Sequence, residues 1–599
     1  VTPISSQRSR ILIEPTHPLK PGTSYLVALK KGMKNLQGGN IIPSDIFQVT
    51  SSTTPVSQQT APVLALYTAA QKATLESLRS TLIQPAVAGI SQLSGVSTSD
   101  IVLAWSFTTQ SLTKTLGVLA ANATATTIAV QNTGVTTATA VGVDGATVYA
   151  GIVQVPYYLS NSGGSPQSTA PLTKYWLADA TQPDIGASFP IGNVPCGAFA
   201  TGATINGQTA QPSVSTTVCY PVPVKQSTET IPLIVAVPDA ASGQTMPANG
   251  WPVVIFQHGI TGNRTQMLAI APALAKAGFV TVAIDLPLHG LTDPTNPFYR
   301  NQLFTGTPAA GLVTGERTFD LDLENNTTGA PGPDGVIDGS GAYFINLSSL
   351  LTARDNLREA EADLLTLTKS IANLQLSTDG SVKVDPTQIR FAALSLGSIV
   401  GVPYLANVSG TAVGAATLAV PGGGIAKLLD ASKTFGPIVA AGLAAAGVKE
   451  GTDDYETFLR FAQTVTDDGD PLNYTAPAVA AHPIHLIEVI GDTVVPNNSL
   501  ASPGTASEDL VTVGSNLGGT DPLIATMGLT VIGPINVPLA AVSKTINPAG
   551  VHAAVKFNQG SHGSLLDPTA SPAATVEMQT ETANFLGSNG VCLPIGGGC

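Results

Sequence analysis

Ser395 sits between two short patterns that together could make its hydroxyl reactive. Ile389 to Leu394 is an apolar, β-prone run. Leu396 to Gly401 is small and apolar, as a helix packed in a core would be. Strand, sharp turn with a serine at its tip, then helix is the layout of a nucleophile elbow. Such a turn strains the serine backbone and leaves room only for small residues two positions away on either side. Gly397 meets that need. Ala393 stands where the usual G-x-S-x-G pattern has its first glycine, so the match is A-x-S-x-G. The chemistry on offer is acyl transfer to water. It requires a base for the serine, a group that orients the base, and donors for the developing oxyanion.

Only seven histidines could supply the base. His17 lies in an N-terminal β region. His258 and His289 precede the serine strand. His482 and His485 flank or enter a strand, with His485 expected inside a sheet, and His552 comes just before the last strand. His562 follows that strand in a Gly/Ser loop, where an imidazole could reach a serine. Asp492 follows the apolar strand Ile484–Ile490 and precedes a Pro-containing loop, the expected place for the orienting acid. Asp285 also ends a strand, but one that precedes the serine strand, where it is expected to brace a turn. For the oxyanion, the backbone N–H of Leu396 opens the helix after the serine. A second N–H is expected from the loop His258-Gly-Ile-Thr-Gly262, at Ile260.

The order Ser395, Asp492, His562, each at the carboxyl end of a strand, is that of an α/β-hydrolase. The elements that must hold it begin near residue 216. Thr230–Pro238, Pro252–Gln257, Phe279–Ile284, Gly414–Val420, Ile484–Ile490 and Ala553–Phe557 read as strands. Helices are expected over Met267–Ala277, Asn346–Leu374 and 572–586, so the fold class is α/β with a largely parallel sheet. Residues 291–345 read as a long insertion and 425–475 as a helical cap. Within the cap, Phe435 to Val448 is apolar nearly all round, which fits a core helix first and a lipid-facing lid second. Before this catalytic domain (216–599) come a partial immunoglobulin-like β module (1–60) and a β-rich region with a helical segment (61–215). Their expected role is packing and presentation of the rest.

The chain has 599 residues, too many for one core, and 43% hydrophobic residues, enough to build several. Charged residues are 11%, well under the roughly 25% of an average domain, and the net charge is -13. No Lys/Arg cluster occurs, which argues against a nucleic-acid partner. No apolar run is long enough to span a bilayer. The opening residues do not read as a signal peptide, and Val1 enters in mid-domain, as in a trimmed chain. Cys196 with Cys219 and Cys592 with Cys599 form two near pairs whose spacing does not resemble a zinc site. Local disulfides and an extracytoplasmic home are expected. Asp320, Asp322, Glu324, Asp334 and Asp338 make an acidic, Gly-rich insertion that fails the EF-hand spacing, so calcium is a minor expectation and no cofactor is required. His482 and His485 would face opposite sides of a strand and make no zinc pair.

Val253–Gly262, Gly315–Asp320, Asn325–Asp338, Ser395–Gly401 and Gly560–Leu566 resemble the bacterial virulence-factor lipases, including surface lipoprotein lipases of the VolA type. The resemblance covers most of the chain. It implies carboxylic ester hydrolysis with acyl esters or lysophospholipids as substrates, contact with a lipid interface, and export to the cell surface, with a lipid anchor on a segment not present here. The departure is at the elbow, where Ala393 and Leu394 replace the Gly-His common before such serines. The rival reading is a non-catalytic surface-binding or adhesion protein on a hydrolase scaffold. The altered elbow, the β region and the low surface charge motivate it.

Overall fold

Strands that are apolar on both faces belong in the middle of a sheet covered on both sides. Trp251–Gln257 is such a strand, and in the computed structural model the side chains of Val253 to Phe256 are fully buried. The structure describes the chain except residues 1, 6–7, 11–12, 35–37, 113, 190–193, 206–207, 210, 301–314, 501–513 and 540. The sequence predicts a strand over Arg10–Glu14 and a turn over Lys34–Asn40, and both fall partly outside the described residues.

The chain divides into two units, one of residues 1–18, 113–184 and 211–599, the other of 19–112 and 185–210. The larger unit carries a ten-stranded sheet: β1 (Ile128–Thr136), β2 (Ala146–Tyr157), β3 (Ser227–Pro238), β4 (Trp251–Gln257), β5 (Val280–Ile284), β6 (Val384–Leu394), β7 (Val413–Ala419), β8 (Ile484–Val489), β9 (Thr530–Ile535) and β10 (His552–Phe557). Their order is β9-β10-β8-β7-β6-β4-β5-β3-β2-β1. Neighbours from β9 through β5 are parallel. β3 is antiparallel to β5 and β2, and β2 to β1. Val253 and Ile255 of β4 join one core, Val254 and Phe256 the other, as the two-residue repeat of a strand requires.

The helices described after β4 are α1 (Ala271–Lys276) between β4 and β5, α2 (Leu350–Ser370) before β6, and α3 (Leu396–Asn407) after it. α4 (Ile425–Ala431), α5 (Gly436–Ala445), α6 (Asp453–Thr466) and α7 (Thr475–Ala481) lie between β7 and β8. α8 (Thr520–Met527) precedes β9, and α9 (Pro572–Gly587) follows β10. The helix expected over Met267–Ala277 begins instead as a 3-10 turn, Arg264–Ala269, because Pro272 fits only the first turn of α1. This strand order, with β4 and β5 transposed, the antiparallel β3 beside β5 and a serine after β6, is the α/β-hydrolase fold. β4 leads to β5 on one side and β6 to β7 on the other. Open α/β sheets bind ligands in the crevice outside the carboxyl ends at such a reversal.

Three expectations are corrected. The boundary at 215/216 fails because β1 and β2 belong to the large sheet, β2 pairing with β3 from Ala146↔Pro238 to Tyr157↔Ser227. The immunoglobulin-like module over 1–60 does not close on itself. Ser24–Lys30 pairs with Ile101–Thr108, and the smaller unit packs Val87 and Ile90 of the helix Gln84–Ser94 with Ile101 and Ala104. A Thr68/Gln71 capping box starts the preceding helix, Ala69–Leu78, and Gly95 ends Gln84–Ser94 in the left-handed conformation. Third, α5 is not a core helix. Only Val439 and Leu443, four apart on one face, are buried, and Ile438 is 62% exposed.

α2 also differs from an ordinary amphipathic helix, since Asp355, Arg358, Glu359, Glu361 and Asp363 are buried with its leucines. Buried charges must be paired. Asp355 accepts from Arg358 and from the Trp176 N–H, each at 2.8 Å, Glu359 accepts from the Trp176 indole N–H at 2.8 Å, and Asp363 pairs with Arg317.

Candidate active site

The sheet delivers one side chain from each of three strand ends. Ser395 follows β6, Asp492 follows β8 and His562 follows β10. Ser395 has φ 54° and ψ −121°, a region that costs a non-glycine residue about 1–3 kcal/mol. Its own N–H donates to Ala419 O at 2.9 Å, and its carbonyl accepts from Ile399 at 2.9 Å, so the end of β7 and the first turn of α3 hold the strained residue. His562 Nε2 lies 2.7 Å from Ser395 Oγ, and His562 Nδ1 lies 2.6 Å from Asp492 Oδ2. The other Asp492 oxygen accepts from the N–H groups of Val494 at 2.8 Å and Val495 at 3.1 Å. The carboxylate is thereby fixed, and its second oxygen is left for the imidazole.

The structure thus brings Ser395, Asp492 and His562 together. The loop after β4 comes to the same place. A β-carbon on Gly259 would lie 3.0 Å from Ser395 Cβ, so a larger residue here would press on the serine. Among the described residues, neither the Ile260 nor the Leu396 N–H donates to another protein group. Both residues border the same cavity as Ser395.

That cavity, about 100 Å³, is lined both by Ser395 and by residues of the cap. Leu350 and Leu357 of α2, Ile399 of α3, Val439 of α5 and Leu459 of α6 line it, together with Phe435. Among the described residues, Asn346 and Thr466 are the only other polar residues besides Ser395 that line it. Such a lining could pack an apolar group beside the serine.

The remaining histidines are placed otherwise. His482 is buried against backbone carbonyls, 2.8 Å from Leu405 O. His485 is buried in the sheet 3.3 Å from Glu581, and burial pushes its pKa down to about 3. His289 is buried against Phe344, with its pKa likewise pushed down by burial to about 3. Asp285 accepts from the Arg264 N–H at 2.6 Å, as expected of a turn brace. Burial disfavours the Arg264 charge, but Asp285 and Glu316 outweigh that and raise its pKa.

Sequence reasoning missed how the insertion grips the loop after β4. Ser340 donates to Gly262 O at 2.6 Å and accepts from the Gly290 N–H at 3.1 Å. Glu316, in the Gly315–Asp320 motif, pairs with Arg264 at 2.6 Å. The available signal was the isolated Glu-Arg pair in a Gly-rich stretch of a chain poor in charge. The acidic insertion uses its carboxylates on its own backbone: Asp322 accepts from Asp334 and Gly335, and Asp338 from Leu323 and Tyr343. Among the described residues no group of three or more His, Cys, Asp or Glu is placed to hold a metal. All four cysteines are disulfide-bonded, Cys592 to Cys599 directly after α9. No described helix is long and apolar enough to cross a membrane.

A family, platelet-activating factor acetylhydrolase, isoform II, matches residues 228–287, which carry β3, β4, β5 and the His258–Gly262 loop. No curated protein matches the chain. Among solved structures, an acetyl xylan esterase from Paenibacillus sp. R4 is 13% identical, with 55% of this chain and 73% of that chain covered and a TM-score of 0.28. An esterase from Pyrobaculum calidifontis is 14% identical, covering 60% and 82%, with a TM-score of 0.28. An acylaminoacyl peptidase from Pyrococcus horikoshii is 12% identical, covering 60% and 40%, with a TM-score of 0.31. Likeness at this level says nothing about substrate. The fold rests on the strand order and the elbow, and by these the chain has the α/β-hydrolase fold.

Proposed function

We propose that this chain is a serine carboxylic ester hydrolase for apolar acyl esters. The observation that carries the reading is the Ser395 Oγ to His562 Nε2 contact of 2.7 Å beside the apolar cavity that Ser395 lines. His562 takes the Ser395 proton as Oγ attacks the ester carbonyl, and the C=O π pair moves onto oxygen. The N–H groups of Leu396 and Ile260 stabilise that oxyanion. Asp492 holds the Nδ1–H tautomer and stabilises the imidazolium. The oxyanion collapses, the ester C–O bond breaks, and His562 returns its proton to the leaving alcohol. Water, deprotonated by His562, then attacks the acyl-enzyme by the same path, releasing the acid and restoring Ser395. No cofactor enters this chemistry.

Hydrolysis of p-nitrophenyl esters from acetyl to palmitoyl, with wild type beside Ser395→Ala, tests the assignment. The variant should keep only residual catalysis, of order 10³ over water. Normal turnover by the variant rules the assignment out.

Lysophospholipid cleavage at a lipid surface is the finer reading. It draws on the sequence motifs and on Ile438, 62% exposed on the cap helix that also lines the cavity. A rate that jumps when a long-chain ester passes its solubility limit supports it, and simple saturation on the monomeric ester refutes it. The disulfides suit an oxidising compartment, so we place the protein outside the cytoplasm.

A further inference from the structure

We infer that His258 is a positioning residue for the oxyanion site, holding the Gly259–Ile260 peptide so that the Ile260 N–H faces the ester oxygen. The inference rests on the reading of Ser395 as nucleophile. The ring's tautomer follows from its bonds. The Leu286 N–H donates to His258 Nε2 at 3.0 Å, so Nε2 carries a lone pair and the proton is on Nδ1. Nδ1–H then donates to Gly259 O at 2.8 Å. The same oxygen accepts from the Gly262 N–H at 3.1 Å, so both of its lone pairs are used.

In a trans peptide the C=O and N–H point to opposite edges. Pinning Gly259 O therefore turns the Ile260 N–H to the other edge, on the cavity that Ile260 shares with Ser395. The turn would not hold this pose unaided. Thr261, a β-branched residue, sits at φ 63°, a conformation costing about 1–3 kcal/mol. If the Gly259–Ile260 peptide flipped, a carbonyl dipole would replace the N–H and repel the oxyanion. The ring is fully buried, and burial pushes its pKa down to about 4, so it stays neutral and keeps the Nε2 acceptor. Asp285 Oδ1, 3.9 Å from Nε2, is already engaged by the Arg264 N–H.

Two substitutions separate the two bonds. In His258→Asn the amide nitrogen replaces Nδ1 and can still donate to Gly259 O. In His258→Gln the amide oxygen replaces Nε2, still accepts from Leu286, and leaves Gly259 O without its side-chain donor. With p-nitrophenyl butyrate, H258Q should lose about 10- to 100-fold in kcat, with KM nearly unchanged. H258N should recover most of that loss. Affinity for a boronic acid, whose tetrahedral adduct mimics the oxyanion, should follow kcat. A folded H258Q with wild-type kcat, or equal losses in both variants, overturns the proposal. Nitrogen-15 NMR of wild type at pH 7 gives a check independent of variant folding. The Nδ1–H tautomer of His258 is expected, and the Nε2–H tautomer or an imidazolium overturns the proposal. Ser395→Ala in the same assay keeps the two readings apart. An inactive S395A beside an unaffected H258Q refutes only the positioning role, whereas an active S395A refutes the esterase reading itself.

Discussion

Gly397→Ala adds one methyl group at the most crowded point of the elbow. Its β-carbon would lie 2.3 Å from Gln257 O and 2.6 Å from His258 O. Both are backbone carbonyls at the end of β4, where Gln257 is in register with Ala393 of β6. Ordinary contact begins near 3.4 Å. Either the end of β4 or the first turn of α3 must therefore back away by about 1 Å, at a cost typical of overpacking, about 1–3 kcal/mol. The strand end carries the His258–Gly262 loop, and α3 carries the Leu396 N–H, so either movement opens the oxyanion site. A misplacement of about 1 Å costs about 100-fold in rate. The assay is kcat and KM on p-nitrophenyl butyrate with a melting curve beside it. The expected result is kcat down about 100-fold, KM little changed and a melt lower by a few degrees. A folded Gly397→Ala protein with wild-type kcat would refute the argument that this contact sets the geometry of the site.

Ala393→Gly restores the usual motif but removes a methyl that the structure already accommodates in full burial. It should lower stability by about 0.5–1 kcal/mol and leave kcat alone, as denaturant unfolding and ester hydrolysis would show. Ala462 of α6 also lines the cavity, so Ala462→Phe fills it. The ratio of palmitoyl to butyryl ester kcat/KM should fall by about 10- to 100-fold, and an unchanged ratio would place the acyl chain elsewhere. Glu361 is fully buried, neither oxygen has a hydrogen-bond partner among the described residues, and burial raises its pKa well above the ordinary value. The folded state therefore binds a proton that the unfolded state gives up above pH 4.5, so the stability this confers is lost as pH rises. Glu361→Gln should remove a slope of up to about 1.4 kcal/mol per pH unit between pH 5 and 7. Parallel stability–pH curves for variant and wild type would contradict this.

The three strand-end residues were legible because each stands where an apolar run gives way to Gly or Pro, a local signal. The strands β3 to β8 and β10 were legible for the same reason. What failed was non-local. β2 looked like part of a separate Thr/Ala/Gly-rich region because nothing in its own residues shows that it pairs along β3. Ser24–Lys30 looked like half of a small module because its partner, Ile101–Thr108, lies beyond two helices. The sequence of α2 predicted a helix but not that Trp176 and Arg317 would pair with Asp355, Glu359 and Asp363 in the interior. α5 misled in the opposite sense: small apolar residues all round do not require burial, and only Val439 and Leu443 have it. The role of His258 could not be read at all, because it depends on the N–H of Leu286, a residue on a different strand end.

The most direct test of the central claim is to treat the folded protein with a fluorophosphonate and map the adduct by mass spectrometry. Only a serine activated by its neighbours reacts readily with such a probe. The account predicts a single adduct on Ser395, lost in His562→Ala, which keeps the serine but removes its base. No adduct, or an adduct on another serine with Ser395 unmodified, would contradict it.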